Sequence, residues 1–225
     1  MNFVSLLLNL AVLVLLLLLK GKPRMFLSHL RAMIASTVLH VFLRTSSRII
    51  PKRRLLADSI LAPFICRAVR SHYLLFWTST FAVLMLTFTV RNRAIQIVCR
   101  YQYSYSTSLI GNLSYVIGFG LVSLTCLIPQ TFIVQWDDGS CTCLDRHLPY
   151  EILLSYYTGT YLRFGLTAGL CTIILSISCY KIISWVRNTP RDQLYDTWNI
   201  LTLPGTSEEQ AKALHRPQGW MTALL

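Results

Sequence analysis

Residues 73–90 read YLLFWTSTFAVLMLTFTV and are followed at once by Arg91-Asn92-Arg93. The stretch carries no charged side chain and is close to the roughly 20 mostly apolar residues a helix needs to cross a bilayer core. A helix satisfies its own backbone polar groups, which lipid cannot do for it. The stretch therefore predicts a membrane-spanning helix, with the arginines behind it as headgroup anchors.

Working outward, residues 3–19, 113–134 and 162–185 qualify in the same way, the last with Arg163 at its edge. Residues 32–43, between Arg31 and Arg44, make a shorter window. It reaches spanning length by using residues 26–30, with Arg31 snorkelling or facing protein. Of 225 residues, 54% are apolar and 13% charged, a balance that a soluble domain of this size would struggle to keep in solution. The expected fold class is an all-α membrane protein: a bundle of about five transmembrane helices over residues 1–190, with the lipid bilayer as its partner. After Trp185 the composition turns polar, so residues 191–225 are expected to form a short cytoplasmic tail.

The net charge of +12 does not point to nucleic acid, because the basic residues sit mainly in the short gaps between apolar windows. The first window has no Lys or Arg before it and Lys20, Lys22 and Arg24 directly after it, which places the N-terminus outside. With five spans, the gap 136–161 then lies outside, and its Asp137, Asp138, Asp145 and Glu151 suit that side. The gap 44–72, rich in arginine, would also lie outside, against the positive-inside rule. A four-span arrangement, with residues 20–71 cytoplasmic, breaks the rule instead at the acidic loop and at the arginines after Val90.

Asn92-Arg93-Ala94-Ile95-Gln96-Ile97-Val98 resembles the Asp-Arg-Tyr-Leu-Ala-Ile-Val signature that ends the third helix of rhodopsin-like (class A) G-protein-coupled receptors. Other landmarks fall at similar intervals: Asn9 in the first span, the short basic segment 20–24, Pro129 near the outer end of the fourth, and Tyr180 followed by Lys181 in the fifth. The resemblance implies that Arg93, with Asn92 and Tyr180, forms the switch that meets a heterotrimeric G protein. It also implies a disulfide from Cys66, near the outer start of the third span, to Cys141 or Cys143, and a plasma-membrane location. Thr37, Phe119 and Thr172 stand where the family keeps an aspartate, a tryptophan and a proline. The likeness covers residues 3–190, the first five of the family's seven helices, so the chain is expected to be a truncated or partial receptor. The alternative is an unrelated multi-span protein, such as a transporter or channel subunit or a membrane scaffold.

The receptor's ligand is unknown. Leu74 and Leu75 stand where amine receptors carry an aspartate, which argues against a biogenic amine. Arg163 is the weak ligand-binding candidate, able to meet an acidic group or Glu151; otherwise it is a snorkelling anchor beside Tyr156, Tyr157 and Tyr161. Cys141, Cys143 and His147 lack a fourth ligand, so no metal is expected, and no cofactor motif appears. No catalytic set is present either, and the chain is read as not an enzyme. The sequon Asn112-Leu113-Ser114 falls at a cytoplasmic edge of the five-span arrangement, where it would not be glycosylated.

Overall fold

The computed structural model describes residues 2–18, 24–49, 61–99, 109–137, 140–143, 149–190 and 194. The expected tail, Leu194 apart, lies outside these, as do Lys52, Arg53, Arg54, Asp145 and His147. In chain order the elements are α1 (Asn2–Leu18), α2 (Arg24–Ile49), α3 (Ala62–Ile65), α4 (Tyr73–Val98), α5 (Leu109–Thr125), strands β1 (Val134–Asp137) and β2 (Ser140–Cys143), α6 (Tyr150–Phe164) and α7 (Cys171–Asn188). A π-helical turn, Cys66–Arg70, follows α3; a 3-10 turn, Ile128–Ile133, follows α5; a second π-helical turn, Gly165–Leu170, joins α6 to α7.

Three helical stretches are long and apolar enough to cross a membrane: Tyr73–Val98, Leu113–Ile133 and Tyr150–Asn188. They take in three of the five expected windows. Helix α1 is apolar but only 17 residues long, at the lower limit for a span. Helix α2 has 26 residues, length enough, but it carries Arg24, Arg31, Arg44 and Arg48. The fifth window begins earlier than its hydropathy suggests, because the helix runs unbroken from Tyr150 for 39 residues, about 58 Å at the usual rise. That exceeds a hydrocarbon core of about 30 Å, and Tyr150 to Tyr161, expected in a loop, is helical.

The expected all-α architecture gains one small sheet. β1 pairs antiparallel with β2, Val134 opposite Cys143 and Asp137 opposite Ser140. The sequence between the strands is Asp138-Gly139, a strong tight-hairpin signal. Just before, Pro129 lacks the N–H that would continue the α5 ladder, and the chain tightens to 3-10 there.

The chain divides into two compact units, with the cuts inside α4 and after Gly169. The first holds residues 1–86 and 107–169. In it α1 packs on α2, and Arg31 explains the join: its Nε donates to Leu16 O at 2.9 Å and its Nη2 to Leu17 O at 3.5 Å. A guanidinium thus meets carbonyls that the last turn of α1 leaves without helical donors, at the negative end of its dipole. Arg31 faces protein, one of the two fates expected for it.

The second unit holds residues 87–106 and 170–225. Its buried apolar residues recur at helical spacing: Val90, Ala94 and Ile97 on α4, and Ile182 and Val186 on α7 after buried Ser178. Leu194 is buried as well, and its N–H donates to Pro190 O.

Candidate functional site

The best-defined constellation lies where α4 begins. Ser71 organises it. Its hydroxyl donates to Arg67 O and accepts from the Tyr73 N–H at 3.2 Å, satisfying a donor of the first turn of α4 as an N-cap side chain does. Its carbonyl accepts from Gln130 Nε2 at 3.1 Å, which holds the 3-10 turn against the entrance to α4. His72 makes the bend in the left-handed region, φ 60°, where a non-glycine residue is uncommon; its ring lies edge-on to Phe76.

Cys66 is fully buried on the π-helical turn that packs along β1. It is bonded to Cys141, across 75 residues of sequence, with Cα atoms 5.7 Å apart. Cys141 and Cys143 occupy the same face of β2 by strand alternation, so only position along the strand separates them. Cys143 is left as an exposed free thiol. The expected bridge from Cys66 to the segment holding Cys141 and Cys143 is present, that segment being a hairpin strand and not a loop, and the choice left open falls on Cys141.

Below this end, two aromatic donors at i and i+4 on α4 reach two carbonyls at i and i+4 on α5. Tyr73 Oη donates to Leu124 O at 3.1 Å, and Trp77 Nε1 to Gly120 O at 3.2 Å. Phe81 continues the row, its ring 6.4 Å from that of Trp77. The opposite seam of α4 meets α2. Ser36 Oγ donates to Thr78 O at 2.9 Å, and His40 Nδ1 lies 3.1 Å from Leu75 O and 3.2 Å from Thr78 Oγ1. A carbonyl only accepts, so the Leu75 contact requires the proton on His40 Nδ1. From the sequence, no role is assigned to any of these side chains. The available signal was their i, i+4 spacing inside apolar windows, where a polar atom needs a protein partner.

Of the residues expected in the G-protein switch, Asn92 and Arg93 are buried near the end of α4, 6% and 7% exposed. Tyr180 on α7 is 69% exposed, and its hydroxyl makes no hydrogen bond among the described residues. Asn9 bonds within its own helix, Nδ2 donating to Ser5 O at 2.7 Å, and so does Thr37, to Met33 O at 3.0 Å.

Arg163 stands with its Cζ 4.1 Å from the centroid of the Phe76 ring, a cation–π geometry. Glu151, the acid considered for it, is exposed and a helical distance of about 18 Å away on the same helix. The crevice beside Arg163 has room for about one water molecule, about 10 Å³, far below the ~300 Å³ at which small-molecule pockets begin. Among the described residues no cluster of His, Cys, Asp or Glu could hold a metal ion. A scan against protein-family models finds no match to this chain, and neither does a search of curated proteins.

Proposed function

We propose that the chain is a multi-pass plasma-membrane protein of the rhodopsin-like receptor type, comprising five spanning helices of such a bundle. The observation that carries this reading is the Cys66–Cys141 disulfide between the entrance of α4 and the hairpin that precedes α6. Both the five-span and the four-span arrangements put those cysteines on one side of the membrane. Only the five-span arrangement puts them outside, where the redox environment lets a disulfide persist. The arginine-rich gap then lies outside against the charge rule, and the bond supports that side.

In this arrangement α1 and α2 are the two spans of marginal length or polarity, paired through Arg31, and the Asn92-Arg93 end of α4 faces the cytoplasm. Arg93 is then the residue for a heterotrimeric G protein to meet. The crevice at Arg163 is too small for a drug-sized ligand, and the ligand stays unassigned.

The test is topology mapping in intact membranes, with glycosylation tags and single-cysteine labelling at residues 50–60 and 144–148. Both segments outside is the expected result. Both inside would leave α2 on the cytoplasmic side, remove the counterpart of the family's second helix and favour an unrelated multi-span protein.

A further inference from the structure

A second, smaller site lies on α6. Tyr156, Gly159, Thr160 and Arg163 follow one another at i, i+3, i+4 and i+7 and so share a helix face. That face meets the 3-10 turn at Pro129 and Gln130, and the six residues line a crevice. Gly159 makes the approach possible: a Cβ there would stand 3.1 Å from Pro129 Cγ and 3.4 Å from Cys126 O.

The polar groups around the crevice differ in what they have left to give. Gln130 Nε2 is held by Ser71 O, and the Thr160 hydroxyl donates to Tyr156 O at 2.9 Å. The Arg163 guanidinium rests on Phe76. Among the described residues, no carboxylate and no hydrogen-bond acceptor meets it. The ring anchors the guanidinium through its π face without using an N–H donor, so the donors stay available to an oxyanion, which arginine can grip with two hydrogen bonds. On the five-span reading Arg163 also stands where the apolar window of the last span begins, at headgroup depth, where a lone charge needs a counter-charge.

We propose that Arg163, held over Phe76 beside the crevice between α6 and the Ile128–Ile133 turn, is a binding site for an oxyanion, a phosphate or a carboxylate. The volume admits one oxygen of the group, and the rest stays at the mouth. The anion comes from one of two sources, a lipid headgroup or a free ion; the lipid source alone rests on the five-span reading.

The test uses the full chain in a neutral detergent. Retained phosphatidylglycerol is read by native mass spectrometry, and thermal stabilisation is followed in titrations with inorganic phosphate and with acetate. Three variants accompany the native chain. R163Q removes the charge, R163K keeps it without the planar fork, and T160L fills the crevice while leaving Arg163. Formation of the Cys66–Cys141 bond, read on non-reducing gels, certifies each as folded. A charge-assisted pair makes the expected loss about tenfold in R163Q, with R163K and T160L also impaired. If only phosphatidylglycerol shows this pattern, the source is lipid; if the soluble anions show it, the source is free. Binding that survives R163Q, or R163K and T160L performing as the native chain does, overturns the site and leaves Arg163 an unspecific anchor. Topology mapping is read separately, so either failure is visible alone.

Discussion

Along α4 the buried side chains include Thr78, Thr80, Thr87, Thr89, Asn92 and Arg93, whereas along Tyr150–Asn188 the exposed ones include Leu154, Tyr157, Tyr161, Phe164, Ile173 and Ile177. The two helices have similar mean hydropathy, yet 44% of the apolar window of α4 is buried and only 17% of that of the longer helix. Hydropathy alone therefore does not say which helix is enclosed. In water this distribution would be an aggregation hazard. In lipid it is the expected sorting, because hydrocarbon is as good a neighbour for leucine as another helix is, while a polar atom has a partner only inside the protein. The polar side chains that specify how α4 sits are accordingly Ser36, His40, Tyr73, Trp77 and Thr78, beside buried Phe81, Leu84 and Met85.

The largest expected effect breaks the well-tied end. Cys66→Ser or Cys141→Ser opens a bridge that closes a long loop, 75 residues by sequence separation. The chain-entropy account assigns such a loop about 4 kcal/mol. The midpoint of an SDS unfolding titration should fall sharply and equally for the two variants. Cys143→Ser should leave it in place, since that thiol is free and exposed. A fall with Cys143→Ser would mean that the bridge uses the other cysteine.

Next comes the approach of α6 to the 3-10 turn. Gly159→Ala sets a methyl group 3.1 Å from Pro129 Cγ, and a proline ring has little freedom to retreat. Overpacking of this kind costs about 1–3 kcal/mol. Gly165→Ala, where nothing lies within 4 Å, is the matched control and should not destabilise; the same SDS titration compares them.

How much of this was legible follows the same division. Apolar windows located the three long helices, because hydropathy is a property of composition, and the resemblance around Arg93 pointed to Cys66 and its partner. Hydropathy gave no warning that Tyr150–Tyr161 would be helical, since a helix does not stop at the edge of an apolar window when no breaker stands there. The hairpin has its own signal in Asp138-Gly139, but it lies in a gap between apolar windows, where hydropathy is silent. The polar clips were hidden because each is a single tyrosine, tryptophan or histidine whose partner is a backbone carbonyl, and a carbonyl leaves no mark on sequence. Arg91 and Arg93 looked alike as anchors, and burial separates them: Arg91 is exposed and Arg93 is not.

A smaller effect tests the clips themselves. Trp77→Phe keeps an aromatic ring beside Phe81 but loses the N–H that reaches Gly120 O. Tyr73→Phe loses the hydroxyl that reaches Leu124 O. Hydrogen bonds between membrane helices average about 0.6 kcal/mol, with a maximum near 1.7. Each variant should fall in that range by SDS titration, and the double variant should fall by more than either, because the two bonds join the same pair of helices.

The smallest expected effect lies on the other side of the comparison. Ile173 and Ile177 on α7 are 58% and 55% exposed. If lipid covers them, truncation to Ala exchanges one hydrocarbon contact for another and should move the unfolding midpoint by less than about 0.5 kcal/mol, as surface substitutions do. If a second chain covers them instead, the same truncations should cost association, visible as a protein-concentration dependence of the midpoint that Ile177→Ala abolishes. Unchanged midpoints at every protein concentration, native and variant alike, would establish lipid as the neighbour of this face. The contrast between α4 and the long helix would then reduce to one rule, that a polar atom must find its partner inside the protein whereas an apolar side chain can face either protein or lipid.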